Sequence, residues 1–148
     1  FLFSNIRNSQ EISKFVNRSC PGLPYASCLA PSGPSVVSWG KYTNVARSLL
    51  LRLRRLVDEW KLNLSDVVVL VATETDLESI SSFDPSSSCS YLNEQLFPRL
   101  SAVRSSTVFA FKGLESLCVI VWIRPDLLSQ YEKYVAYTRA RTLLVSYE

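Results

Sequence analysis

Two residue types are missing from this sequence of 148 residues, which contains no histidine and no methionine. Without His, imidazole acid–base catalysis and His-ligated metal sites are excluded. Proton transfer would therefore fall to Asp, Glu, Lys, Tyr or Cys. The lack of an initiator Met leads us to expect a piece of a longer chain, or a processed one.

Glycine and cysteine are sparse, at four residues each. The glycines do not form the phosphate-binding loop G-x-x-x-x-G-K-[ST], so this segment cannot hydrolyse ATP alone. The cysteines lack C-x-x-C spacing, so we expect no zinc site and no metal ligands here. Cys118 lies in an apolar run and is expected to be a buried thiol. So few cysteines favour a reducing compartment, and we expect an intracellular location, in the cytoplasm or the nucleus.

Long apolar runs and strong net charge are also lacking. The longest run, "LCVIVWI", is far shorter than the roughly 20 residues of a membrane span, so no membrane association is expected. The net charge of +3 permits contact with a polyanion without requiring it. Hydrophobic residues make up 47% and charged residues 20%, which is typical of a globular chain. The length suits one domain, residues 1–148.

Periodic patterns predict alternating strands and helices. Continuous β-branched runs are typical of strands buried on both faces, as in parallel sheets. The alternation predicts an α/β fold with a parallel sheet flanked by helices. The predicted helices cover Ser9–Asn17, Asn44–Trp60, Thr73–Ile80 and Leu127–Ala140, and the predicted strands cover 35–39, Asp66–Ala72, 106–111, Leu117–Ile123 and 142–147.

The two longest of these helices have definite predicted faces. The helix Asn44–Trp60 has an apolar face and an opposite face with arginines, which is interpreted as solvated or, alternatively, as a nucleic-acid stripe. Its apolar face comprises Val45, Leu49, Leu53, Leu56, Val57 and Trp60, and the other face carries Arg47, Arg54 and Asp58. The buried side of the helix Leu127–Ala140 is predicted to comprise Leu128, Tyr131, Val135 and Thr138.

The stretch "YVAYTRAR", Tyr134–Arg141, places two arginines where the last helix meets the last strand. Arginine offers planar, bidentate donors that stay charged, which suits phosphate oxygens. Arg139 is therefore a candidate for phosphate contact, and the alternative is a salt bridge to one of the 13 acidic residues. Arg141 is expected to be structural or solvent-facing.

Two further stretches carry candidate residues. "KGLE", Lys112–Glu115, combines a cation, a flexible glycine and an acceptor, and is either a ligand loop or a surface turn. We expect it at a strand-to-helix junction, at the carboxyl ends of the strands, where ligands bind in open parallel sheets. "NIRNSQEI", which begins at Asn5, adds Arg7 ahead of the first helix; the alternative is a solvated loop arginine.

Together the three stretches resemble motifs IV, V and VI of superfamily 1 helicases of the UvrD/Rep type, in order and in spacing. "NIRNSQEI" is similar to N-x-R-[NS]-x-x-x-I, "TVFAFKGLE" to T-x-H-x-x-K-G-L-E, and "YVAYTRAR" to V-A-x-T-R-A. In that family the three motifs lie on the second RecA-like domain. The resemblance implies a RecA-like three-layer sandwich with a mostly parallel sheet, acting as the C-terminal motor domain of an ATP-dependent helicase or translocase.

The resemblance also implies a shared site. In such enzymes ATP and Mg²⁺ lie between two RecA-like domains, and the N-terminal one supplies the phosphate-binding loop and the Mg²⁺ ligands. The implied partners are that domain of the same parent chain and single-stranded nucleic acid, DNA or RNA. The residues carried over are Arg7 and Arg139 as arginine fingers, Glu115 toward the ribose with Gly113 beside it, and Thr107 and Lys112 at the junction between nucleotide and strand.

Phe109 stands where the family often has a His that contacts the nucleic-acid backbone. It is interpreted either as a core residue or as a stacking surface for a base. This departure favours an alternative function, a degenerate, Schlafen-like helicase module that acts as a non-catalytic binding or regulatory scaffold. An unrelated α/β domain with coincidental motifs is a third interpretation.

Overall fold

The computed structural model describes residues 9–20, 33–81, 104–111 and 113–148. Their helices are α1 (Gln10–Ser19), α2 (Ala46–Trp60), α3 (Glu74–Ser81) and α4 (Gln130–Tyr137), and their strands are β1 (Val37–Ser38), β2 (Val67–Val71), β3 (Arg104–Thr107), β4 (Ser116–Val121) and β5 (Ala140–Ser146). Short 3-10 turns, Leu64–Asp66 and Pro125–Leu127, precede β2 and α4. The stretch "SSFDPSSSCS", residues 81–90, predicts a loop; its first residue ends α3, and the rest lies outside the described residues.

The five described strands form one sheet in the order β1-β5-β4-β2-β3, and every neighbouring pair is parallel. Parallel strands need both faces covered, and β2 shows this because all its residues are buried. Val67, Val69 and Val71 enter the core on one face, while Val68 and Leu70 enter the core on the other. The predicted α/β fold with a parallel sheet is confirmed.

The helices cover the two faces of the sheet. On one face, α1 and α4 bury Ile12, Val16, Val135 and Ala136 against the sheet. On the other, α2 buries its leucines together with Ile80 of α3. Helix, sheet and helix therefore form three layers, as expected of a RecA-like domain.

Helix α1 begins as the sequence predicts. Ser9 is its N-cap, and the Ser9 side chain accepts a hydrogen bond from the Ile12 N–H at 3.4 Å. The Ser9 N–H donates to the carbonyl of Arg141 at 3.1 Å, which fixes the start of α1 beside the start of β5. A Cβ at Gly33 would lie 2.8 Å from the Cβ of Ser9, so this close approach requires glycine.

The ends of α2 and α4 differ from the predictions. In α2 the leucines at 49, 50, 53 and 56 are buried, but Val45 and Trp60 are 51% and 42% exposed. The last helix begins at Gln130 instead of Leu127, because Pro125–Leu127 forms a 3-10 turn and Ser129 caps the helix. Tyr131, predicted on its buried side, is 50% exposed.

Within the described ranges, we find no helix with both the length and the apolar character needed to cross a membrane. The predicted buried thiol at Cys118 is confirmed: the residue is 0% exposed in β4. Burial raises the pKa of the Cys118 thiol to about 12, so the group stays protonated at neutral pH.

Candidate functional site

Two of the three motifs meet at the edge of the sheet where the strands begin. We call this group the amino-edge cluster, and it comprises Arg104, Gly113, Leu114, Glu115, Ser116, Thr138, Arg139 and Arg141. It gathers residues that precede or begin β3, β4 and β5. The Ser116 N–H donates to the Arg139 carbonyl at 3.0 Å, which joins the second motif to the third directly.

Arg139 lies directly before β5 and is 8% exposed. Its Nε donates to the Val135 carbonyl at 2.9 Å, and its Nη2 donates to the Thr138 hydroxyl at 3.0 Å. A longer hydrogen bond of 3.4 Å runs from its Nη1 to the carbonyl of Leu114. These three neutral acceptors orient the guanidinium.

Arg141, the other arginine of the motif, forms an ion pair with Glu115. Arg141 Nε lies 3.5 Å from the Glu115 carboxylate, and the two side chains are 58% and 38% exposed. Such an exposed pair contributes little to stability, roughly 0–1 kcal/mol. The expectation that Arg141 is a supporting, solvent-facing residue is confirmed, and its partner is the carboxylate expected near a ribose.

Gly113 has a positive φ of 87°, and a Cβ built there would meet nothing within 4 Å. The backbone conformation, not lack of space, is therefore what favours glycine at this position. Lys112 and Arg7 lie outside the described residues. Along the sequence, the first described residue after Arg7 is Ser9, whose N–H donates to the carbonyl of Arg141.

Three members of the cluster have roles that had not been singled out from the sequence. Ser116 accepts a hydrogen bond from Arg104 Nη2 at 3.2 Å and donates one to the Asp66 carbonyl at 2.7 Å. Thr138 holds Arg139 and donates to the Tyr134 carbonyl at 2.7 Å. Thr138 was predicted only as a buried residue of the last helix, and it is 0% exposed. Ser116 was indicated only by its adjacency to Glu115, and Arg104 had no sequence signal.

The expected edge for "KGLE" is wrong. It does not lie at a strand-to-helix junction at the carboxyl ends of the strands, because its described residues form the connection from β3 to β4 and end where β4 begins. Arg139 likewise lies at the amino end of β5. The Asp66, Ser116 and Arg139 contacts show that this edge is assembled from the starts of adjacent strands.

Thr107 and Phe109 lie at the carboxyl ends of the strands, opposite the amino-edge cluster. Thr107 is the last residue of β3 and pairs with Val71, the last residue of β2. Its hydroxyl accepts the Ala110 N–H at 3.2 Å, which starts the turn that displays Phe109. Phe109 is 67% exposed, so the core interpretation of this residue is wrong.

The second motif therefore runs from the carboxyl ends of the strands to their amino ends. From the strand pairings, Thr107 is level with Val71 and Ser116 lies two residues before the partner of Val67. At a rise of about 3.3 Å per residue this is a distance of about 20 Å along the strands. Phe111, 5% exposed, fastens the connection to the core on the α1 and α4 side.

Comparison with solved structures gives helicase domains. The carboxy-terminal domain of a possible DNA helicase from Lactobacillus plantarum WCFS1 is 18% identical, with a TM-score of 0.61, and the match covers 97% of this chain and 86% of that one. The helicase of PRRSV is 14% identical with a TM-score of 0.52; the match covers 99% of this chain but spans 23% of the PRRSV chain. No family model and no curated protein matches. At these identities the likeness shows a shared fold.

Proposed function

We propose that the chain is the C-terminal motor domain of an ATP-dependent helicase or translocase, of the UvrD/Rep type. It would contribute Arg139 and Arg7 to an ATP site completed by an N-terminal RecA-like domain of the same parent protein. The fold shared with helicase domains supports this proposal. The observation that carries it is the arrangement of Arg139 at the amino edge.

Arg139 has the features required of a group that stabilises a transferring phosphate. Its guanidinium is oriented by Val135, Thr138 and Leu114 before any ligand arrives, so little reorganisation is needed. Its low exposure strengthens its electrostatic interaction with a phosphate. Glu115 lies in the adjacent loop and would accept hydrogen bonds from the ribose hydroxyls, while Gly113 lets the backbone approach the nucleotide closely.

ATP would supply the scissile phosphate bond, and Mg²⁺ would be held by carboxylates of the N-terminal domain. Because a guanidinium stays protonated and presents planar, paired donors, Arg139 suits an anionic phosphate at this edge of the sheet. Thr107 and Phe109, together with Lys112, would couple this site to single-stranded nucleic acid at the far end of the motif. The exposed ring of Phe109 is suited to stacking on a base.

The test is ATP hydrolysis by the two-domain parent protein carrying Arg139→Ala. We expect the rate to fall by a factor of about 10³–10⁵, as for loss of an arginine finger. Arg54→Ala is the matched control, since Arg54 is paired with Asp58 on α2 away from the cluster, and it should leave the rate unchanged. Hydrolysis near the wild-type rate with Arg139→Ala, in a folded protein, would refute the assignment.

A scaffold function is the second candidate, and Phe109 in place of the family's His is the observation that favours it. A degenerate, Schlafen-like module would bind partners without responding to nucleotide. The two proposals differ in the thermal unfolding of the parent protein with a non-hydrolysable ATP analogue and Mg²⁺. A rise in melting temperature that Arg139→Ala removes supports the motor domain; an unchanged melting temperature supports the scaffold.

A further inference from the structure

A cavity of about 280 Å³ lies on the α2 side of the sheet, away from both groups of candidate residues. We call it the Trp–Arg pocket; the residues that define it are Trp39, Arg52, Arg55, Glu59 and Trp60. Two of the chain's three tryptophans line it, together with two arginines and one glutamate. The charge of the pocket is therefore net positive.

The pocket follows from the packing of α2 beside the edge strand β1. Arg52, Arg55 and Glu59 are spaced at i, i+3 and i+7, so they lie along one side of the helix. Trp39 directly follows β1, which is an outer strand of the sheet. β3 is the outer strand on the other side of the sheet, so the pocket and Phe109 lie beside different outer strands.

One half of the pocket is rigid. The Arg52 guanidinium donates a hydrogen bond to the Trp39 carbonyl and lies 5.8 Å from the centre of the Trp39 ring. The same ring packs edge-on against Tyr147 with a centroid distance of 5.9 Å. Arg52 therefore holds Trp39 in place, and the guanidinium and the indole together line one side of the pocket.

The other half of the pocket is available to a ligand. Trp60 is 42% exposed although it is a large aromatic side chain at the end of α2. Arg55 is exposed and, among the described residues, has no hydrogen bond or ion pair. Its neighbour Arg54, by contrast, forms an ion pair in which the Arg54 Nε lies 4.0 Å from the Asp58 Oδ2.

We propose that the Trp–Arg pocket binds single-stranded nucleic acid, with a base stacked on Trp60 and a phosphate held by Arg55. Each nucleotide brings one flat ring and one negative charge, and this pocket offers one exposed indole beside one uncommitted guanidinium. An acidic peptide would match the arginine but leave the indole without a partner. The proposal goes beyond the proposed function, which puts the strand at Thr107 and Phe109.

The natural tryptophan fluorescence of the 148-residue chain reports on this pocket directly. Trp122 is 1% exposed, so an oligonucleotide that quenches the emission must act on Trp39 or Trp60. We expect oligothymidylate or oligouridylate to quench it saturably. Trp60→Ala should weaken binding, followed by the anisotropy of a labelled oligonucleotide, about 5- to 150-fold, the loss typical of one stacked base.

Arg55→Gln and Arg54→Gln form a matched pair, since they remove the same charge from adjacent positions of one helix. Arg55→Gln should reduce the slope of log K against log salt concentration by about one, as for loss of one phosphate contact. Arg54→Gln should leave the slope unchanged. Retained melting temperatures show that both variants are folded.

Three results would overturn the proposal. The first is binding seen by anisotropy without any quenching of the tryptophan emission. The second is an equal slope of log K against log salt concentration in the two arginine variants. The third is equally strong quenching by polyglutamate, which would indicate an acidic protein partner. The motor-domain proposal is tested by hydrolysis in the parent protein, so either proposal can fail while the other holds.

Discussion

Two phenylalanines of one motif, separated by a single alanine, have opposite environments. Phe111 is 5% exposed and packs into the core beneath α1 and α4, while Phe109 is 67% exposed beyond the end of β3. A sequence gives both rings the same preference for burial, and only the turn held by Thr107 decides which is displayed. This is why burial of Phe109 could not be judged from its residue type.

The pair yields a prediction for stability and binding. Phe111→Ala should lower the free energy of unfolding by about 3–5 kcal/mol, because it removes a buried aromatic ring. Phe109→Ala should change it by no more than about 0.5 kcal/mol, as expected for an exposed site. The measurement is denaturant unfolding of both variants.

The same Phe109→Ala variant should bind a single-stranded oligonucleotide more weakly, by about 5- to 150-fold if the ring stacks on a base. Anisotropy of the labelled oligonucleotide measures this. If the affinity equals that of the unaltered chain, Phe109 is not a strand-binding residue. If the variant loses much of its stability, Phe109 is a core residue.

At the scale of elements, α4 is the helix that leads to Arg139, which directly follows its C-cap, Thr138. It is a short helix with a complete capping box: the Ser129 hydroxyl accepts the Glu132 N–H, and the Glu132 carboxylate accepts the Ser129 N–H, each at 3.1 Å. Short helices gain little from their intrinsic propensity, so such a cap matters more here than in a long helix.

Removing the cap should therefore be measurable. Ser129→Ala is expected to lower the free energy of unfolding by about 1 kcal/mol, and Ser129→Asp should restore most of it because Asp also caps helices well. Urea unfolding of the two variants is the measurement. Equal loss in both would mean that the hydroxyl itself, and not capping, is what α4 requires.

The ends of the helices were the least predictable parts of the elements. Periodicity gave the middle of α2, where Leu49, Leu53 and Leu56 are buried, because those positions face the sheet. It failed for Val45, which is the N-cap of α2, and for Trp60, its last residue, because burial at a helix end depends on neighbours that a sequence does not show. Tyr131, in the first turn of α4, failed for the same reason.

At the scale of the whole molecule, the parallel sheet was predictable from its β-branched runs, but the edge that gathers the motifs was not. The general rule for open sheets favours the carboxyl ends of the strands. Arg139 lies at the amino ends because it directly precedes β5. Glu115 lies there because the connection from β3 to β4 crosses the sheet without a helix in its described residues. A motif's spacing does not reveal such a crossing.

The buried core also sets the response to alkaline pH. Burial raises the pKa of the Cys118 thiol and of the Tyr137 and Tyr147 phenols to about 12 in each case. The folded chain therefore keeps protons that the unfolded chain loses at their ordinary pKa values, about 8.5 for Cys and 10 for Tyr. Stability is fully present below about pH 8.5 and is lost progressively toward pH 12.

Denaturant unfolding at a series of pH values tests this prediction. The free energy of unfolding should fall above about pH 8.5, and in Cys118→Ala the fall between that pH and pH 10 should be shallower, because one of the retained protons is gone. Tyr137→Phe should make the curve shallower above pH 10. Curves identical to that of the unaltered chain would show that these groups do not govern the alkaline limit.

The strand order has a consequence for synthesis. β5, the last strand along the chain, lies inside the sheet between β1 and β4, and the described part of β1 pairs with no other strand. During synthesis, β1 therefore leaves the ribosome long before its neighbour β5 has been made. The described sheet is complete only when residues 140–146 have emerged. A chain halted before them would expose the unpaired edge of β4, which is a template for aggregation.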